Sequence, residues 1–173
     1  MMLQPSAPPE WLLDFGQWGV DVGIYDLMNT RWGWPIAESV HFTGLCMLMA
    51  TVGMFDLRMM GLVRGLSLSA LHRLVPYGVF GWLLCVASGF MFVAAAPLEY
   101  LYNDAWQIKM VLMAIAGINM VAFYLTTAKR VYALGPDDAV PLAARVIAIV
   151  SLFSWIGVIS CGRVVTAFRP YWG

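Results

Sequence analysis

No charged side chain interrupts residues 74–98, which read LVPYGVFGWLLCVASGFMFVAAAPL. A helix of about 20 apolar residues crosses a hydrocarbon core about 30 Å thick, so this stretch predicts a membrane-spanning helix. With Ser67 as its N-cap, the span is expected at about 68–97. Three similar stretches predict spans at about 35–56, 105–128 and 140–163. The sequence therefore predicts an all-α integral membrane four-helix bundle over residues 35–173.

The composition supports a membrane location. Of 173 residues, 61% are hydrophobic and 12% are charged, whereas a soluble domain carries about 25% charged residues. A soluble fold of this size could not bury so much apolar surface. The 10 Lys and Arg residues are balanced by 10 Asp and Glu residues, which leaves no broad basic patch for nucleic acid. We therefore expect the lipid bilayer, and not nucleic acid, to surround this chain.

Residues 1–34 are predicted to form a periplasmic interfacial segment. The stretch 10–28 is apolar, but its three aspartates would each cost several kcal/mol at bilayer depth. Aromatic and apolar residues recur there at steps of four and three, at Trp11, Phe15, Trp18, Val22 and Tyr25. That stripe is typical of an amphipathic helix lying in the membrane interface. The helix would serve as an anchor, a docking platform or a lid.

The distribution of charge predicts the orientation. Two inter-span loops are basic, with Arg58, Arg64 and Arg73 in the first and Lys129, Arg130 and Arg145 in the second. The loop at 97–104 has no cation. By the positive-inside rule, the basic loops are cytoplasmic and both termini are periplasmic in a bacterial inner membrane. Asp56 and Arg58 are expected at the cytoplasmic interface, with the arginine reaching toward water, and Tyr171 and Trp172 as a second interfacial anchor.

Ionisable residues within the spans are functional candidates because their burial in lipid is costly. Helical rise places His41 about 9 Å and Lys109 about 6 Å below the outer boundary, with Glu38 one turn above His41. We expect Glu38, His41 and Lys109 to form a buried cluster, either as a structural clasp or as a functional site. Asn119, deeper in the third span, is expected to hydrogen-bond a neighbouring helix.

The only other histidine, His72, lies about 14 Å from the level of His41 by helical rise. Because each metal–nitrogen bond is about 2 Å long, one haem could not use both. A single b-type haem could use His41, with Met91 at matching depth as a second axial ligand. The first hypothesis is therefore a redox or cofactor-binding subunit that holds haem b or a quinone near His41, Glu38, Lys109 and Met91. It would exchange electrons with a periplasmic or membrane partner.

Sulfur-containing residues suggest an alternative. Cys46 and Cys85 each lie about 16 Å from the outer boundary, and Met49 is one turn below Cys46. Together with His41, these soft ligands could bind Cu(I), which predicts a copper-handling protein. With Cys161, the total of three cysteines is odd and indicates no disulfide framework. A third hypothesis is a non-catalytic scaffolding subunit, and the sequence leaves open whether the protein is an enzyme.

Two segments carry a family resemblance. They are ESVHFTGLCMLMATVGMFDLRMMGL at 38–62 and YNDAWQIKMVLMAIAGINMVAFY at 102–124. They resemble a family of small bacterial four-span proteins of unknown function. More remotely, His41 in the first span and the Trp106-x-x-Lys109 entry to the third are similar to the copper-resistance D family and to membrane protoporphyrinogen oxidase. Those likenesses imply an association with haem or copper. Tyr124 stands where a second intramembrane histidine often follows in the family.

Overall fold

The computed structural model describes residues 7–167. The helices are α1 (Glu10–Asp21), α2 (Ile24–Met28), α3 (Gly33–Leu48), α4 (Met54–Met60), α5 (Leu68–His72), α6 (Val75–Ala95), α7 (Pro97–Leu101), α8 (Asp104–Thr126), α9 (Ala128–Tyr132) and α10 (Leu142–Val164). A π-helical segment, Met49–Gly53, joins α3 to α4. Residues 7–167 contain no β-strand. The expected anchors Tyr171 and Trp172 lie outside the described residues.

Four helical stretches are long and apolar enough to cross a membrane: Gly33–Met60, Leu68–Ala95, Asp104–Thr126 and Leu142–Ala167. Their ends lie within about four residues of the predicted span limits, so the all-α multi-pass fold is confirmed. The hydroxyl of Ser67 accepts a hydrogen bond from the Ala70 backbone N–H at 3.1 Å, as expected of the N-cap.

The first and second spans meet with their backbones in contact. A Cβ atom on Gly44 of α3 would lie 2.5 Å from the carbonyl oxygen of Gly81 of α6, and one on Gly81 would lie 2.5 Å from that of Gly44. Small residues permit this close approach of two membrane helices. The pair therefore fixes how α3 is rotated against α6, and with it the direction in which His41 points.

A side chain at this crossing should separate the two helices. We expect Gly81→Val to lower the free energy of unfolding by about 1–3 kcal/mol. The added side chain would overlap the backbone of α3, and the two helices could relieve this overlap only by moving apart. Gly117→Val is the matched control, since an added Cβ there meets no atom of residues 7–167 within 4 Å. Unfolding by SDS in mixed micelles measures both values. Equal losses in the two variants would contradict a backbone contact at Gly81.

The third span packs against the fourth through α8 and α10. Asn103, which is fully buried, caps α8 by accepting hydrogen bonds from the backbone N–H groups of Ala105 and Trp106. Its amide also donates to the carbonyl of Val165 at 2.8 Å. Asn119 donates to the carbonyl of Ile147 in α10 at 2.9 Å, which confirms the predicted bond to a neighbouring helix.

The bundle has two halves that differ in packing. We call the half with the start of α3 and of α8 the His41 half, and the half with α4 and α5 the Asp56 half. In the Asp56 half, α4 packs against α10 and joins the first span to the last. The larger buried core lies there, and Phe55, Met59, Leu68, Phe123 and Val131 belong to it. The Asp56 half is therefore the part that unites all four spans.

The amino-terminal segment is two helices, not the one predicted. Gly23 has φ +78°, a left-handed conformation that ends α1 and turns the chain into α2. Leu12 and Gly19 are buried and face the bundle, where α1 packs against α6 and α7. The predicted aromatic stripe faces outward, with Trp11 and Trp18 exposed. The prediction of one continuous helix is therefore wrong, whereas the amphipathic character of α1 agrees with the prediction. The location of this segment in the membrane interface stays a prediction.

Arg58 does not reach toward water. Its side chain is 1% exposed, and its guanidinium donates to the carbonyls of Leu66 at 2.8 Å, Gly135 at 3.2 Å and Pro136. The expected snorkelling is wrong because the two loops after α4 and α9 fold over this residue and supply its partners. Arg58 therefore ties both loops to the end of the first span.

Candidate functional site

The imidazole of His41 is held by a hydrogen bond between the first two spans. Its Nδ1 lies 2.9 Å from the hydroxyl oxygen of Ser88 in α6. The Ser88 hydroxyl donates its single proton to the carbonyl of Leu84 at 2.6 Å. Ser88 must then accept from His41, which assigns the proton to Nδ1 and leaves Nε2 with a lone pair. That nitrogen can bind a metal or accept a hydrogen bond from a ligand.

Aromatic side chains surround the imidazole on one side. The ring of Phe92 lies 5.6 Å from that of His41, and Trp34 stacks on Phe92 at 5.5 Å. Phe92 also stacks on Tyr100 at 6.4 Å. On another side there is little bulk, since a Cβ on Gly89 would lie 3.8 Å from His41 Cε1. The ring is therefore fixed in orientation, with small residues beside it.

Lys109 of α8 lies within electrostatic range of His41. Its charge acts on His41, Cys85 and Cys161, and a Cβ on Gly162 would lie 3.8 Å from its Nζ. Within residues 7–167, the half-buried ammonium forms no ion pair. A cation that is partly removed from water without a counter-ion is costly. The site is therefore electropositive and suits a ligand that carries negative charge or electron-rich oxygen.

Glu38 does not join this pair. Its side chain is exposed and lines a groove of about 720 Å³ between α1, α3 and α7. In the described part of the chain, its carboxylate makes neither an ion pair nor a hydrogen bond. The predicted three-residue cluster is wrong in this respect, because Glu38 faces the amino-terminal helices. His41 and Lys109 are the two members that the fold brings together.

Met91 lies among apolar side chains. It packs against a cluster formed by Met28, Ala37 and Ala95, next to α2. Its role as a second axial ligand stays a prediction.

Among the described residues, the predicted copper ligands His41, Cys46 and Cys85 do not form a group that could hold a metal ion. Cys46 is exposed, whereas the Cys85 thiol donates to the carbonyl of His41 at 3.4 Å. The terminal methyl of Met49 would lie 3.6 Å from a Cβ on Gly53, within its own span. Among the described residues, no three His, Cys, Asp or Glu side chains are grouped so that they could hold a metal ion. The copper hypothesis gains no support from this geometry.

A second candidate site was missed by the sequence reasoning. Asp56 was expected at the membrane interface, but it is 3% exposed and borders a cavity of about 420 Å³ in the Asp56 half. The π-helical segment contributes Thr51 to the same cavity, and such segments are frequent at functional sites. The available signal was an acid at the end of an apolar span, since intramembrane carboxylates are functional candidates by default.

Comparisons of the chain with protein families, with curated proteins and with solved structures return no match. His41 with Lys109 offers a lone pair beside a cation, and Asp56 offers a buried carboxyl beside an apolar cavity.

Proposed function

We propose that the protein is a membrane redox subunit that binds a b-type haem or a quinone against His41 and Lys109. The observation that carries this proposal is the Nε2 lone pair of His41, oriented by Ser88, beside an ammonium with no ion pair in residues 7–167. Both groups lie inside spans long enough to cross a bilayer. A neutral imidazole next to a cation suits a redox cofactor that bears acidic or carbonyl oxygens.

The residues fit either group. For haem, Nε2 of His41 would bind the iron and Lys109 would bind a propionate. For a quinone, Lys109 would donate to a ring oxygen, and in the reduced quinol form Nε2 would accept a hydrogen bond from a ring hydroxyl. Both cofactors supply electron transfer when bound. Ser88 holds the tautomer, and Phe92 shields the imidazole from water.

The aromatic contacts connect the site to the outside of the bundle. From His41 they run through Phe92 to Tyr100, with ring separations of 5.6 and 6.4 Å. Tyr100 lines the groove that also contains Glu38. An electron-transfer partner that docks in this groove would approach the site closely. By the positive-inside rule, that partner is periplasmic.

The absorption spectrum of the purified protein tests this proposal. We expect a Soret band that changes on reduction, or a quinone recovered by solvent extraction at about one molecule per chain. His41→Ala should remove either signal, because it deletes the nitrogen that binds the cofactor. His72→Ala is the matched control, since it removes the only other histidine and leaves the His41 half intact.

Two outcomes would overturn the proposal. One is protein from haem-supplemented cells, in native lipid, with neither a Soret band nor extractable quinone. The other is a His41→Ala variant that keeps the full signal.

A further inference from the structure

The carboxyl of Asp56 is buried with one oxygen unsatisfied. Its side chain is 3% exposed, and Oδ2 has no hydrogen-bond partner among residues 7–167. Ser151 of α10 lies beside this carboxyl and borders the same cavity. The nearby cation Arg58 is engaged with the loop carbonyls. A buried acceptor without a donor is costly, so this oxygen is a candidate contact for a ligand.

The carboxyl borders a cavity large enough for a small ligand. Its volume is about 420 Å³, within the range of about 300–1,000 Å³ typical of ligand pockets. The walls are mainly apolar, and five of the lining residues are aromatic: Phe55, Trp82, Phe123, Tyr124 and Trp155. Aromatic rings present negative faces that attract cations.

The cavity opens sideways between α6 and α8. Val79 of α6 and Met120 of α8 both line it and are 51% and 57% exposed. Both lie within stretches able to span a membrane, so the opening faces lipid. A ligand dissolved in the bilayer could therefore enter without crossing the protein surface in water.

Two other polar groups on the cavity wall donate to backbone carbonyls. The Thr51 hydroxyl donates to carbonyls of its own helix, and the Asn119 amide donates to Ile147. The remaining titratable groups that face the cavity are His72 and Tyr124. Nε2 of His72 lies 3.3 Å from the hydroxyl oxygen of Tyr124. Within residues 7–167 no group donates a hydrogen bond to Oδ2, so a ligand bound in the cavity would supply the missing donor.

We propose that this cavity binds a lipophilic ammonium ion, with its charge at Asp56 and its apolar part against the aromatic walls. The ammonium supplies both the N–H donor and the positive charge that a carboxylate in a membrane requires. This site is independent of His41 and Lys109, which lie in the opposite half of the bundle. It would give the protein a binding function beyond the proposed redox role.

Binding of 4-phenylbutylammonium tests the proposal, with 4-phenylbutan-1-ol as its uncharged counterpart. Isothermal titration to the full-length protein in maltoside detergent should show at least tenfold weaker binding of the alcohol. Asp56→Asn, which removes charge at nearly constant shape, should weaken the amine at least tenfold. Asp137→Asn, an exposed acid in the loop after α9, should leave the affinity unchanged.

A second variant tests the cavity without touching the carboxyl. Gly117 lines it, and an added Cβ would meet no atom within 4 Å. Gly117→Leu should therefore fill the space and abolish amine binding while circular dichroism and the melting temperature stay unchanged. Equal binding of amine and alcohol, or undiminished binding by Gly117→Leu, would overturn the proposal. The binding measured for Gly117→Leu tests the proposed amine site even if Asp56→Asn fails to fold.

Discussion

Replacement of Arg58 by alanine is expected to lower the free energy of unfolding by about 3–5 kcal/mol. The guanidinium donates hydrogen bonds to the carbonyls of Leu66, Gly135 and Pro136, and the side chain is buried. Hydrogen bonds from a charged donor contribute about 1.5–3 kcal/mol each, and water can replace part of them at loop carbonyls. Deleting the buried stem adds the cost of a cavity. Unfolding by SDS in mixed micelles measures the loss.

Arg64 provides the control for this prediction. It is an exposed cation in the loop after α4, and Arg64→Ala should change the free energy of unfolding by less than about 0.5 kcal/mol. Arg58→Lys should give an intermediate loss, because one ammonium cannot reproduce the fixed fork of a guanidinium. If Arg58→Ala were as mild as Arg64→Ala, the two loops would not depend on Arg58.

Replacement of Lys109 by methionine should have the largest effect on cofactor binding after loss of His41. Methionine keeps the length of the side chain but removes the charge that faces the His41 site. We expect about 10- to 100-fold weaker retention of the cofactor, the usual range for losing one charge-assisted bond. Without the cation, reduction of the bound cofactor becomes less favourable, so its midpoint potential should also fall. For a one-electron couple the fall is about 60 mV for each tenfold by which the variant weakens binding of the reduced cofactor more than binding of the oxidised cofactor.

Redox titration of the membrane-bound protein measures the potential, and the ratio of cofactor to protein measures retention. Lys129→Met is the control, because Lys129 is exposed on α9 in the Asp56 half. A Lys109→Met variant with unchanged retention and potential would show that the ammonium acts on no bound group.

Most of the fold follows from local properties of the chain. The four spans were predicted correctly because apolar length depends only on neighbouring residues. The N-cap at Ser67 could be predicted for the same reason. The break at Gly23 was missed, because a glycine within an amphipathic pattern can either continue the helix or end it.

Less of the candidate sites could be predicted. Helical rise placed His41 and Lys109 at one level, and the structure puts them near each other. It also predicted that Glu38 would join them, and this was wrong. The spacing of residues along a helix does not determine which neighbouring helix a face meets. The Asp56 cavity escaped prediction, since the π-helical segment and the space beside it arise only when the spans pack.

By itself, the sequence determined that this chain is helical, crosses a membrane four times and carries a few ionisable groups within its spans. Hydrophobicity and helical propensity act over a few residues, and no partner is needed to express them. Only the tertiary structure decided which groups meet. The contact of Gly44 with Gly81 sets the rotation of α3, and the folded loops enclose Arg58. Both depend on residues far apart in the chain, whose contacts exist only after the helices have packed.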